Sequence, residues 1–167
     1  DWRSTCALPI CQILDLACGH GKHSLFAAQQ GYPVDAIDRD ASVVSDLIGK
    51  ANITTYITDL EVAHWQPPKN NYDGIIVTRY LYRPLLQTLF EILKPGGVLI
   101  YETFMVGNER FGKPSNPNFL LLPNELLTFY KPLLSIIAFE QGDVDKPESA
   151  CVQRICAKKS EFTRNLT

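Results

Sequence analysis

The feature that most restricts this chain is a strand that breaks into a glycine turn. Ile13-Leu14-Asp15-Leu16-Ala17 is an apolar run carrying one acid, Cys18-Gly19-His20-Gly21 follows, and from Lys22 the pattern suits a helix. Gly19 and Gly21 lack a Cβ, so the backbone can take positive φ and a ligand can approach the main chain closely. A helix starting at Lys22 would aim unpaired N–H groups back at that turn. The junction of a first strand with a first helix is where an open α/β sheet holds its ligands. The segment therefore reads as a nucleoside-cofactor loop.

The remainder of the chain repeats the alternation. The first strand spans Gln12 to Ala17, and a helix from Lys22 to Gln30, with Leu25, Phe26, Ala27 and Ala28 as its apolar residues, stops at Gly31. A second strand, Val34 to Ile37, ends at Asp38, and a short helix from Ala41 to Gly49 turns Val43, Val44, Leu47 and Ile48 inward. A third strand covers Ile53 to Thr58. The stretch Asp59 to Tyr72, with Trp65, Pro67 and Pro68, suits a loop with a helical turn. Gly74 to Thr78 is a continuous apolar run expected of a central parallel strand buried on both faces.

An amphipathic helix over Leu85 to Leu93 ends at Pro95-Gly96-Gly97, and Val98 to Thr103 forms a fifth strand. Phe104 to Leu122 has no clear period and is rich in Gly, Pro and Asn, the mark of a functional or mobile loop. A short helix from Pro123 to Tyr130 precedes two last strands, Leu134 to Phe139 and Cys151 to Ala157, joined through Gly142 to Ser149. The expected fold is a Rossmann-like α/β domain. Its seven-stranded sheet is mostly parallel, with helices on both faces and one antiparallel strand in a C-terminal β-hairpin.

The 167 residues fit one domain. A net charge of −2 with 20% charged residues argues against a broad nucleic-acid footprint, which would need a basic face. No apolar run reaches membrane-spanning length. The five cysteines form no C-x-x-C pair and are odd in number, so they read as reduced thiols in a cytoplasmic protein, with no metal site. Cys151 and Cys156 are expected on opposite faces of the last strand because their spacing is odd. Thr5 to Ile10 and Asp1-Trp2 resemble a translated sequencing adapter. Residues 1–10 are accordingly set aside as a non-native lead-in, and residues 11–167 are expected to be a single domain lacking its native N-terminal segment.

Four spaced signals together resemble the class I S-adenosylmethionine-dependent methyltransferases: Asp15-x-Ala17-Cys18-Gly19-x-Gly21, Asp38 at the end of the second strand, Asp59 after the third, and Leu93-Lys94-Pro95-Gly96-Gly97 before the fifth. Asp-Leu-Ala-Cys-Gly followed by His23, with Tyr101-Glu102-Thr103-Phe104, is similar to bacterial methyltransferases of the tellurite-resistance type. The resemblance implies S-adenosyl-L-methionine as cofactor. It implies that Asp15, Ala17, Cys18, Gly19 and Gly21 line the methionine and ribose end. Asp38, with Arg39 beside it, would bridge the ribose hydroxyls, and Asp59 and Leu60 would meet the adenine. Thr78 and Arg79 would lie where donor and acceptor come together. Each residue also has a plainer reading: a tight turn for the glycines, a helix cap or solvated strand end for Asp38 and Asp59, exposed helix-start residues for His20 and His23.

Methyl transfer needs alignment more than a dedicated nucleophile, so catalytic residues stay open, with Tyr80, Arg83 and Glu102 as the candidates. Arg79 and Arg83 sit one helical turn apart if that segment is helical, and two guanidinium forks there would suit an anionic small-molecule acceptor; paired surface arginines are the equal alternative. Thr78-Arg79-Tyr80-Leu81 lacks the Asn- or Asp-Pro-Pro-aromatic motif typical of base-amino methyltransferases, which lowers nucleic-acid substrates further. A non-catalytic S-adenosylmethionine-binding module and a nicotinamide-dependent dehydrogenase remain as alternatives. The dehydrogenase pattern G-x-G-x-x-G would need its third small residue where Ser24 stands, and it leaves the terminal hairpin unexplained.

Overall fold

The structure is a computed structural model that describes residues 11–161. The lead-in assigned to residues 1–10 lies outside the described residues. Seven strands form one sheet in the order β3-β2-β1-β4-β5-β7-β6. They are β1 Ile13–Leu16, β2 Val34–Asp38, β3 Ile53–Ile57, β4 Tyr72–Thr78, β5 Leu93–Phe104, β6 Ser135–Val144 and β7 Ala150–Lys158. Pairing is parallel from β3 through β5. The antiparallel strand is β7, inserted between β5 and β6. The sequence expectation of a mostly parallel sheet with one antiparallel strand holds.

Four helices accompany the sheet, α1 Lys22–Gln29, α2 Ala41–Val44, α3 Leu85–Ile92 and α4 Glu125–Tyr130. Register explains why the sheet has one heavy and one light face. Leu14, Ile75, Leu99 and Ala157 lie in one cross-strand row, and Leu16, Val77, Tyr101 and Ile155 in the next. These side chains meet Leu85, Leu86, Leu89 and Ile92 of α3 and Leu126 and Tyr130 of α4 in the main core. Ile13 points the other way, into a smaller cluster with Ala27 and Ala28 of α1. Beyond that helix the same face carries Ile76 and Ile100 from β4 and β5, and Ile100 is 46% exposed.

Several local expectations are corrected. Ile48, expected inward, is solvent-exposed, because α2 gives way after Val44 to a 3-10 turn that buries Leu47 as expected and ends there. The third helix stops at Ile92, since Leu93 is already extended. Lys94 to Gly97 sit in a ladder irregularity, where Leu93 pairs with Tyr72 and Val98 with Gly74. Gly96 there has φ +81, and its N–H bonds the Lys159 carbonyl. Strand β6 runs on to Val144, which shortens the hairpin connection to residues 145–149. Cys151 is buried, and Cys156 lies on the opposite, partly exposed side of β7.

Candidate active site

Parallel strands deliver their C-terminal ends to one edge, so residues that close β1, β2 and β4 converge. Ala17 and Arg79, just past β1 and β4, both take left-handed backbone angles, φ 54° and 55°. Such angles in non-glycine residues cost on the order of 1–3 kcal/mol each and tend to cluster where a site demands them. Between these ends lies a cavity of about 410 Å3 lined by Ala17, Asp38, Arg39, Asp59, Leu60, Arg79 and Tyr80. That volume falls in the range of small-molecule sites. Its walls also include Thr58, Glu61, Leu81, Thr103, Phe104, Pro114 and Phe119, which sequence reasoning did not assign.

The glycine turn lies beside this cavity, and its two glycines differ in kind. A Cβ on Gly19 would meet nothing within 4 Å, which leaves open space at φ +53. A Cβ on Gly21 would collide with the Leu47 side chain, so Gly21 is required by packing as well as by its φ of +73. Gly21 is the N-cap of α1 with no side-chain cap. The Gly19 N–H donates to Asp38 Oδ2 at 2.9 Å, and the Asp40 N–H donates to Asp38 Oδ1 at 3.0 Å. Asp38 thus ties the turn after β1 to the end of β2, and each oxygen keeps a lone pair. The helix-cap role weighed for Asp38 belongs to Asp40, which accepts from the Ser42 N–H at 2.9 Å. Asp59 Oδ1 accepts from the Glu61 N–H at 2.9 Å.

Asp15 is buried, and Ser24 Oγ donates to its Oδ2 at 2.6 Å, while Oδ1 has no partner. Burial raises its pKa; the Ser24 hydrogen bond and the nearby His23 oppose that shift. Ser24 is thus a member of the loop's support that the sequence reading weighed only against the dehydrogenase pattern. An orphaned carboxylate oxygen beneath the turn fits a cationic or hydrogen-bond-donating ligand group. Cys18 is no nucleophile here. Its thiol is pushed up to about 12 by burial and by the Asp15 and Asp38 carboxylates.

The candidate catalytic residues separate. Tyr80 lines the cavity with its hydroxyl 3.4 Å from Glu61 Oε1, and burial followed by Glu61 raises its pKa, so it stays protonated at neutral pH. Arg79 and Arg83 do not form one anion fork. Arg79 lies over the Phe104 ring at 5.8 Å and 3.9 Å from Glu148. Arg83 instead donates to Glu125 and to the carbonyls of Asn118 and Leu120. Glu102 lies in an adjoining cleft of about 150 Å3, paired with Arg154 Nε at 2.8 Å. This cleft shares Arg79, Thr103 and Phe104 with the larger cavity and adds Lys146 from the β6–β7 connection. Thr78 is absent from both linings.

Sheet order, glycine turn and acid-lined edge together define a Rossmann-like α/β domain with a candidate ligand site at the C-terminal ends of its parallel strands. The family model described as "Tellurite resistance protein TehB" matches residues 4–147, and the chain belongs to that family. A curated relative from Haemophilus influenzae, "Probable S-adenosyl-L-methionine-dependent methyltransferase TehB", is 29% identical over 133 residues, which is 72% of this chain and 45% of the relative. The chain therefore spans about half the length of the curated relatives it matches. The crystal structure of TehB from Haemophilus influenzae superposes with a TM-score of 0.74 at 24% identity, covering 92% of this chain and 59% of that one. Coclaurine N-methyltransferase, solved with N-methylheliamine and S-adenosylhomocysteine, is similar in fold with a TM-score of 0.66 at 14% identity, covering 91% and 68%. No helix among the described residues is long and apolar enough to cross a membrane.

Proposed function

We propose that this chain binds S-adenosylmethionine in the larger cavity and transfers its methyl group to a small anionic acceptor held in the adjoining cleft, in the bacterial cytoplasm. The observation that carries the reading is the junction of the two spaces. Asp38 and Asp59 line the larger cavity, and Arg79, Thr103 and Phe104 line both it and a cleft that also bears Lys146 and Arg154. Asp38 would accept from the ribose hydroxyls, Asp59 from the adenine amine with Leu60 beneath the base, and Asp15 Oδ1 would face the amino-acid end. The orphaned Asp15 oxygen and the open space at Gly19 support that fit.

S-adenosylmethionine supplies a sulfonium methyl, which leaves with no electrons and is captured by an acceptor lone pair while the sulfur keeps the bonding pair. The chain's part is alignment and exclusion of water, and alignment of this kind can lower a barrier by ~7–11 kcal/mol. Leu60, Tyr80, Phe104 and Phe119 supply the apolar walls. In the cleft, Arg79 is paired with Glu148, and Arg154 with Glu102 and Glu140, while Lys146 has no ion-pair partner among the described residues. The three cations are matched by three carboxylates, so the cleft carries no net positive charge, and Lys146 is the cation available to an oxyanion, thiolate or carboxylate. A nucleic-acid substrate finds no basic stripe in a chain of net charge −2.

The test is calorimetric titration with S-adenosylhomocysteine and, in parallel, NADH. It is followed by assay of S-adenosylhomocysteine formation with oxyanions, tellurite among them, with thiols, and with neutral amines and phenols. Saturable binding of the first ligand alone and turnover confined to anionic acceptors are expected. Binding of NADH alone, or turnover only with neutral acceptors, would refute the reading.

A further inference from the structure

Arg83 lines neither cavity, yet it is bonded to the wall of the larger one. Its Nε donates to Glu125 Oε1 at 2.6 Å and its Nη2 to Glu125 Oε2 at 3.0 Å. Its Nη1 reaches the Asn118 carbonyl at 3.1 Å and its Nη2 the Leu120 carbonyl at 2.9 Å, one on each side of Phe119. Glu125 completes the link by accepting from the Leu122 N–H at 2.7 Å. A half-exposed ion pair alone contributes little, but a bidentate fork that also satisfies two carbonyls fixes geometry.

The two partners of this link both carry residues of the cavity wall. Tyr80 and Leu81, just before Arg83, line the cavity on the β4 side, and Phe119 and Pro114 line it from the loop between β5 and α4. That loop is also tied at Leu121, whose N–H donates to the Phe104 carbonyl at 3.0 Å and whose carbonyl accepts from the Val106 N–H at 2.9 Å, at Leu122, whose carbonyl accepts from Gln153 Nε2 at 3.1 Å, and at its base. Asn108, buried, donates through Nδ2 to the Pro114 carbonyl at 3.0 Å and accepts through Oδ1 from the Cys151 N–H at 3.0 Å. Arg83 is the side chain that holds the two carbonyls flanking the half-exposed Phe119 ring. We propose that Arg83 is a positioning residue, which joins the loop after β4 to the loop after β5 and, through Phe119, sets how tightly the cavity closes on its ligand.

The proposal rests on the cofactor reading above, and its test reports on the two separately. Lysine keeps the charge at position 83 but is a point donor that cannot span a carboxylate and two carbonyls together. Arg83→Lys, Phe119→Ala and the double variant are compared with the unaltered protein by calorimetry with S-adenosylhomocysteine and by hydrogen exchange of the amides of residues 119–122. Arg83→Lys is expected to speed exchange at these amides and to raise Kd by about fivefold or more, the scale of a one-kcal/mol loss. The double variant is expected to bind no worse than Phe119→Ala alone, because both remove the same wall. Faster exchange with unchanged Kd would make Arg83 structural only, and multiplying effects would show that it does not act through Phe119. Either result overturns the proposal. Should the unaltered protein bind no S-adenosylhomocysteine, the cofactor reading falls and the proposal falls with it, whereas exchange in Arg83→Lys would still report the tie itself.

Discussion

Asp38→Ala separates the two tasks assigned to one carboxylate. In the folded protein Asp38 accepts from the Gly19 N–H at 2.9 Å and the Asp40 N–H at 3.0 Å, the first partly buried and the second exposed. Hydrogen bonds to a charged group contribute ~1.5–3 kcal/mol each when buried. Water can replace much of that here, so the folding loss is taken as about 1 kcal/mol, a fall in Tm of roughly 2–4 °C for a chain of this size. On the ligand side nothing replaces the carboxylate once the ribose occupies the space. Losing charged hydrogen bonds to the ribose hydroxyls removes ~1.5–3 kcal/mol of binding. At about 1.4 kcal/mol per tenfold, Kd for S-adenosylhomocysteine should rise by roughly 10- to 150-fold. Asp38→Asn, which keeps an oxygen for one N–H, should recover stability more than affinity. Calorimetry and thermal melting on the same samples give both numbers. An alanine variant that melts a few degrees lower with unchanged Kd would refute the ribose assignment and leave Asp38 as a loop tie.

The two glycines of the turn should respond to different degrees. Gly21→Ala drives a methyl into Leu47 on top of straining φ, so thermal melting should show the larger loss, ~1–3 kcal/mol from the collision in addition to the φ cost; Gly19→Ala, with open space around it, should carry the φ cost of ~1–3 kcal/mol alone and also weaken S-adenosylhomocysteine binding. Cys18, its thiol held near 12 by burial and two carboxylates, should resist iodoacetamide at pH 8 in the folded protein and react once unfolded, as read by mass spectrometry. Desolvation pushes Glu125 up, but its hydrogen bonds from Arg83 and the Leu122 N–H and the Arg83 charge outweigh it and hold the carboxyl below its ordinary 4.5. A depressed carboxylate stabilises the fold above its unfolded pKa and loses that contribution as pH falls through the lower folded value. The Tm difference between the unaltered protein and Glu125→Gln should therefore be constant from pH 5 to 8 and shrink below about pH 4; a difference that grows in acid would contradict the pairing.

The order of elements was legible from the chain alone, because a parallel α/β sheet writes itself locally. Apolar runs give strands, Gly31 marks the end of α1, and acids close β2 and follow β3 at the sheet edge where β1 and β4 also end. For the same reason the family could be read from Asp15 to Gly97. What the sequence misjudged was facing and partnership. Ile48 satisfies helical periodicity but points to solvent, because α2 ends early and a 3-10 turn follows it. Periodicity names an apolar stripe and not the residue at which the helix stops.

Partnerships across the chain were decided only by tertiary structure. Arg83 seemed a companion to Arg79 because the two are neighbours in sequence, yet its carboxylate is 42 residues away, brought alongside only because β4 and β5 are adjacent and the chain returns through α4. Ser24 meets Asp15 because α1 folds back over β1, and Gly21 is needed because the turn after α2 packs against it. Phe119 and Pro114 reach the cavity from a loop with no period of its own. Local sequence specifies backbone state and the residue types available at a strand end. Which side chains face one another there depends on strand order and on the return path of each loop, and neither is a local property.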